Sequence, residues 1–223
     1  MSAIPDIMSG IADFHMRTVH SNFRKIIGFL LCAVSIGVAL AWVGIATGLA
    51  LGWIGALVMI GWAILVRRHW LLLRDRDGSE PGAPERVVWQ RFSGYSMVAG
   101  HMTFSVLNPQ YDLHVGSGNY LAIDNWTLIL GVVISAMLFR ADSYERDERD
   151  DRIDALATLW GYRSLIGLMV ALLTFVGFMP PDSHPLLGHF PLANLMVGTI
   201  LLSLIVRQAT QLLLYAGDSV AQS

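Results

Sequence analysis

The polar stretch around His101 holds the residue with the clearest capacity for chemistry. Residues 92–107 combine several hydroxyl groups with one imidazole. If this stretch crosses a membrane, as argued below, His101 is a candidate proton relay, ligand-binding group or cofactor ligand, with Tyr95 and Ser105 as polar neighbours. The alternative is a neutral imidazole that hydrogen-bonds an adjacent helix and only packs.

Histidines and carboxylates recur in two segments after His101, at residues 112–114 and 182–189. Imidazole nitrogen and carboxylate oxygen are ligands for zinc and copper, so these segments have the composition of a metal site. Their spacing fits no established metal motif, and solvated loop histidines are the alternative. We predict no cofactor, with a metal at these residues as the alternative. The candidate ligands are Asp112, His114, Asp182, His184 and His189.

Other kinds of chemistry have no signature in the sequence. It shows no Ser/His/Asp order, glycine-rich phosphate loop or HExxH helix, which argues against an enzyme. A single cysteine, Cys32, cannot form an internal disulfide. Fifteen basic and seventeen acidic residues leave a formal charge of −2, so nucleic acid is not an expected partner.

The elements that position these residues are predicted to be membrane helices. The chain is 54% hydrophobic and 14% charged, against about 25% charged in average soluble proteins, with a mean hydropathy of +0.54. Residues 26–66 carry no charge, and as one helix they would measure about 61 Å, roughly twice the hydrocarbon thickness. We therefore predict two spans, 26–43 and 49–66, with a reversal at 44–48.

Three further spans are clearly apolar: residues 121–139, 165–179 and 192–206. Arg67 and Arg68 follow the second span, and Arg140 follows the 121–139 span, so the positive-inside rule places both clusters in the cytoplasm. That requires another crossing between them, which only residues 92–107 can supply. The predicted fold is an all-α polytopic transmembrane bundle of six spans, with both termini cytoplasmic.

The distribution of basic residues supports this topology. The three external pieces, 44–48, 108–120 and 180–191, contain none, so all fifteen fall on cytoplasmic pieces or helix ends. The resulting organisation is a cytoplasmic amphipathic segment (1–25), a transmembrane hairpin (26–66), a cytoplasmic linker (67–91), a transmembrane pair with an external loop (92–140), an acidic cytoplasmic helix (141–163), a second transmembrane hairpin (164–214) and a cytoplasmic tail (215–223).

Small residues recur at every fourth position in the first two spans. Small side chains let helix backbones approach closely within a membrane, where the hydrophobic drive between helices is lost. They predict close packing inside the first hairpin, with docking on another subunit as the alternative. The residues are Ala33, Gly37, Ala41, Gly48, Gly52 and Ala56.

The most distinctive predicted cytoplasmic stretch is acidic. Residues 142–154 hold seven acids and three arginines, a net charge of −4, followed by apolar residues at helical spacing. This composition suits a basic cytoplasmic partner, and a solvated connecting helix is the alternative. The candidate partner surface comprises Asp147, Glu148, Asp150, Asp151, Ile153 and Leu156.

The motif that runs from Glu145 through Arg-Asp-Glu-Arg-Asp-Asp-Arg-Ile to Ala157 precedes a membrane span. Here the chain resembles small bacterial integral membrane proteins of unknown function, in which a DER-type juxtamembrane segment leads into a helix pair. The resemblance covers residues 144–214. It implies an inner-membrane location and assigns no catalytic residue.

These patterns lead to three functional hypotheses. The first is a non-catalytic accessory, assembly or regulatory subunit of a membrane complex, with other membrane-protein subunits or a second copy of the chain as partners. The second is a small transporter or channel whose polar third span surrounds His101. The third is a metal- or cofactor-binding membrane subunit that uses the external histidines.

Overall fold

The computed structural model describes residues 4–77, 83–107, 120–140, 147–180 and 189–221. Within these ranges the chain forms six α-helices and no strand, which confirms the predicted all-helical class. The helices are α1 (Ile4–Thr47), α2 (Gly52–Asp77), α3 (Ala83–Leu107), α4 (Tyr120–Arg140), α5 (Glu148–Gly177) and α6 (His189–Ala221).

Three of the described helices are long and apolar enough to cross a membrane. They are Phe23–Thr47 within α1, the whole of α5, and Leu192–Gly217 within α6. Shorter apolar segments occupy α2 and α4. Large apolar side chains on these helices are exposed, among them Leu173 at 64% and Met137 at 65%. Exposed apolar surface of this extent indicates a membrane protein.

The reversal between α1 and α2 lies later than the sequence predicted. Gly44 is helical, α1 ends at Thr47, and the turn occupies residues 48–51. Gly48 adopts a φ of +68°, and its amide donates to the carbonyl of Gly44 at 2.9 Å. This is the left-handed C-terminal cap that glycine forms without steric cost, so the second glycine of the pair ends the helix.

Helix α3 lies at the centre of the bundle. It packs against α1, α4 and α6, while α2 packs along α4 and α5 along α6. Because three helices pack against it, α3 carries several polar side chains in the interior of the bundle. Ser96 illustrates this: it is fully buried, and its hydroxyl donates to the carbonyl of Phe92 at 2.7 Å.

The helices also run beyond the predicted spans. α2 continues to Asp77 and α3 begins at Ala83, so most of the predicted linker at 67–91 is helical. α5 runs without interruption from Glu148 to Gly177 and joins the acidic segment to the following apolar segment. The side chains of residues 4–22, including the predicted amphipathic face, lie outside the described part.

Two apolar cores flank the middle of α3. The Phe92 core joins the start of α3 to α1, α5 and α6 through Ile26, Val88, Ile153 and Leu212. The Met97 core joins the later part of α3 to α1, α2, α4 and α6, and it comprises Ala33, Met59, Met97, Val98, Met102, Leu128, Val132 and Leu201. His101 lies between Val98 and Met102 of the Met97 core along α3.

Candidate functional site

His101 is fully buried, at 0% exposure, where α1 and α3 come closest. A Cβ at Gly37 would overlap the carbonyl oxygen of Met97 and lie 2.8 Å from the amide nitrogen of His101. On the other side of the contact, a Cβ at Gly100 would lie 2.9 Å from the Cα of Val34. The two glycines therefore allow the backbones to touch and exclude solvent from the imidazole.

Asn125 fixes the orientation of the imidazole. The Nδ1 atom of His101 lies 2.8 Å from Oδ1 of Asn125, and both side chains are buried. An amide oxygen only accepts hydrogen bonds, so this contact requires a hydrogen on Nδ1. In the neutral ring, Nε2 then carries the lone pair.

Asp124 faces the other side of the ring. Its Oδ2 lies 4.0 Å from Nε2 of His101, with the two side chains at 1% and 0% exposure. The same oxygen accepts from the amide of Leu51 at 2.9 Å. Oδ1 of Asp124 makes no hydrogen bond within the described residues. We call His101, Asp124 and Asn125 the His101 cluster.

Asp124 also serves as an N-terminal cap for α2, although it belongs to α4. Leu51 precedes the first residue of α2 and has no side-chain oxygen with which to cap its own helix. A carboxylate at this position also lies at the positive end of the helix dipole. A Cβ at Gly52 would lie 2.6 Å from the carbonyl oxygen of Asp124, so glycine is required for the approach.

The chemistry open to the His101 cluster is proton binding. One imidazole and one carboxylate face each other at a buried site between helices. A proton that binds there changes the charge of the pair by one unit. Within the described ranges, no group of three or more His, Cys, Asp or Glu residues could hold a metal ion. The cluster therefore has too few donors for a structural metal site.

The other residues predicted around His101 are not part of this cluster. Tyr95 is half-buried and packs against both apolar cores. The side chain of Ser105 lies outside the described part. So do the predicted metal ligands Asp112, His114, Asp182 and His184, together with the side chain of His189.

The small residues of the first two spans pack internally, but on different neighbours. Ala33, Gly37 and Ala41 are buried along α1, which packs mainly on α3 and only slightly on α2. In α2, Gly52 meets Asp124 and Ala56 meets Gly131, both in α4. Gly48 is exposed in the turn. Each helix of the predicted hairpin thus packs on a different helix.

The acidic helix divides into an inner and an outer face. Asp147 caps α5 by accepting from the amide of Asp150 at 2.7 Å. Asp150 itself is buried, and Tyr215 donates to its Oδ1 at 3.1 Å. Ile153 is buried in the Phe92 core. Of the predicted partner surface, the exposed members are Asp147, Glu148, Asp151 and Leu156.

A second polar group holds α5 against α6. Arg207 donates to Oδ1 of Asp154 at 2.8 Å, and Gln211 reaches the same oxygen at 3.5 Å. With Asp150 and Tyr215 these residues form what we call the Asp154 cluster. Each of its two carboxylates has a described hydrogen-bond donor.

Sequence reasoning did not pair Asp124 and Asn125 with His101. The signal available was an Asp-Asn pair one turn inside an otherwise apolar helix, where polar groups need partners. That signal gives no partner, because the contact joins residues 24 positions apart.

Comparison with protein-family models, curated proteins and solved structures finds no match.

Proposed function

We propose that the chain is an inner-membrane protein that crosses the bilayer six times, with both termini in the cytoplasm. The Phe92 core supports this topology. It brings together Ile26, Val88, Ile153 and Leu212, from the four helix regions that the basic residues assign to the cytoplasmic half. The enclosed position of α3 supports a polar third span.

We further propose that the protein acts as a non-catalytic accessory, assembly or regulatory subunit of a membrane complex. The observation that carries this proposal is the division of α5 at its acidic end. Ile153 and Asp150 are buried inside the protein, whereas Asp147, Glu148 and Leu156 are exposed beside them. The exposed acids and adjoining apolar side chain fit a basic amphipathic segment of a partner subunit.

A charge-neutral variant tests this role. D147N/E148Q/D151N removes three negative charges and keeps a capping side chain at position 147. We expect it to insert normally and to lose its partner in pull-downs from mild detergent. The matched control is R152Q, which changes an exposed charge on the same helix in the opposite direction and should retain the partner. Equal recovery with wild type and the triple variant would remove the acidic surface from the proposal.

The second candidate function is a small transporter or channel. The observation that favours it is the burial of His101 with Asp124 and Asn125 among helices of a membrane protein. Ionisable residues in such positions commonly mark ion or proton pathways. The cluster also lies next to the α1–α2 turn, since Asp124 accepts from the amide of Leu51.

Proton flux into liposomes that contain the purified protein tests transport directly. We expect H101Q to abolish flux while the protein still accumulates in the membrane. If the imidazole only packs, the variant should retain flux and lose about 0.6 kcal/mol of stability, the average for polar contacts between membrane helices. Absence of flux in wild type would remove this candidate.

A further inference from the structure

We propose that His101 and Asp124 form a single proton-binding site, in which one exchangeable proton binds the imidazole Nε2 and is stabilised there by the carboxylate of Asp124. The inference rests on the second candidate function and deepens it by naming the ligand and its second residue. It concerns binding at equilibrium, which can be measured without any transport.

The first step of the proposal rests on the orientation of the imidazole, which determines which ring nitrogen can accept a proton. The contact from Nδ1 to Oδ1 of Asn125 at 2.8 Å keeps a hydrogen on Nδ1. In the neutral ring, the Nε2 lone pair then faces the carboxylate of Asp124 at 4.0 Å. Two electron-rich atoms in a dry site repel each other, and one proton on Nε2 converts the contact into an attraction between opposite charges.

The environment of Asp124 carries the second step. Its Oδ2 has the Leu51 amide as a donor, but Oδ1 makes no hydrogen bond within the described residues. A buried carboxylate with one oxygen unsatisfied is costly unless a positive charge compensates it. The nearest described group that can become positive is His101.

The other helices around the pair contribute no compensating charge through their described contacts. α1 and α2 approach it with backbone at Gly37, Gly44 and Gly52. α4 contributes Asp124 itself and the neutral Asn125. α6 directs its arginine, Arg207, to Asp154. Protonation of the pair therefore changes the charge of this site by one unit.

We place the exchange of this proton with solvent at the α1–α2 turn. Leu51 bonds Asp124, and Leu49, two residues earlier, is exposed. In the net reaction one hydronium ion in the solvent becomes water, and its proton is bound by the Nε2 lone pair. No other bond forms or breaks, and no oxidant or reductant is needed.

Proton uptake by the full chain in detergent tests the proposal. The pH is stepped from about 8 to about 5, the interval in which an imidazole changes charge. We expect H101Q to take up one proton fewer than wild type, and D124N to lose that same proton. Because the site binds one proton in all, the double variant should lose no second proton. The control is S96A, which removes a buried hydroxyl elsewhere on α3 and should match wild type.

Wild-type uptake in D124N, or loss of a second proton in the double variant, would overturn the shared site. If a variant does not fold, ¹⁵N NMR of wild type decides by itself. The ring of His101, assigned through backbone correlations, should carry hydrogen on Nδ1 at the alkaline end and on both nitrogens at the acid end. A ring that stays singly protonated throughout contradicts the proposal. Uptake without flux would reject transport and leave the site standing.

Discussion

The two polar clusters of the protein use similar chemistry in different surroundings. In the Asp154 cluster, Arg207 and Asp154 are 28% and 29% exposed and 2.8 Å apart. In the His101 cluster, the imidazole and carboxylate are at 0% and 1% exposure and 4.0 Å apart. The Arg207–Asp154 pair is partly exposed and closely paired, whereas the His101–Asp124 pair is buried and more widely separated.

This difference indicates that the two clusters have different roles, one in joining helices and the other in binding a proton. A partly exposed ion pair contributes about 0–1 kcal/mol and joins two helices at little cost. A dry pair with an unsatisfied oxygen is a poor way to stabilise a fold, because apolar residues of similar volume would serve as well or better. We therefore expect the His101 cluster to be retained for proton binding and the Asp154 cluster for joining α5 to α6.

The largest effect should come from adding a side chain at the close contact between α1 and α3 that buries the His101 cluster. G37A places a methyl group against the rigid backbone of Met97 and His101, and we expect a loss of about 3 kcal/mol or more, at the upper end of overpacking costs. The control is G28A on the same helix, where a Cβ meets nothing within 4 Å. That control should change stability by less than about 1 kcal/mol. Reversible unfolding in mixed micelles measures both, and equal stabilities would show that α1 and α3 are not in close contact.

The next largest effect is expected at Asp124. Two variants there distinguish its role as a hydrogen-bond acceptor for α2 from the role of its charge. D124A leaves the Leu51 amide without its acceptor, and we expect a loss of about 1.5–3 kcal/mol. D124N keeps an oxygen acceptor and should regain most of that stability while it abolishes shared proton uptake. The same unfolding assay measures both variants. A D124N variant as unstable as D124A would mean that the charge itself holds α2.

A smaller effect is expected from the buried part of the Asp154 cluster. Y215F removes the hydroxyl that donates to Asp150 at 3.1 Å, and we expect a loss of about 0.5–1.5 kcal/mol. The proton uptake assigned to His101 should be unchanged in this variant, because the hydroxyl that it removes lies in the other cluster. Altered uptake would show that the two clusters are coupled.

The smallest effect is expected from the exposed ion pair. R207Q keeps the aliphatic stem over Gly161 and removes the charge, so the loss should be at most about 1 kcal/mol. The difference from wild type should shrink as salt rises, since exposed charges are screened. Unfolding at two salt concentrations measures it. A large loss that does not depend on salt would place this pair in a drier site than its exposure indicates.

The sequence predicted the helices well because their signals are local. Apolar runs, glycines and basic flanks sufficed for the all-helical class. The position of the first reversal was less accurate, since Gly44 and Gly48 offer the same conformational freedom. Only the fold shows that Gly44 is helical beside Leu49, where a Cβ would lie 3.2 Å from the carbonyl oxygen of that residue.

The candidate site was predicted only in part, because its members come from different helices. His101 could be singled out by its type and its polar surroundings. Its partners could not, since Asp124 and Asn125 depend on which face of α4 meets α3. The apolar stripe after the acidic segment was similarly ambiguous, and Ile153 is covered by the protein's own Phe92 core.

The central claim is that the polar helix α3 crosses the membrane inside the bundle, which places the His101 cluster toward the external end and the Asp154 cluster toward the cytoplasm. Single cysteines at Ser79, Ser117, Ser143 and Ser183, in a C32S background, test it with an impermeant thiol reagent on intact cells. The account predicts labelling from outside at positions 117 and 183, with labelling at 79 and 143 only after the cells are opened. Labelling of S79C from outside would contradict the six-span topology and the comparison built on it.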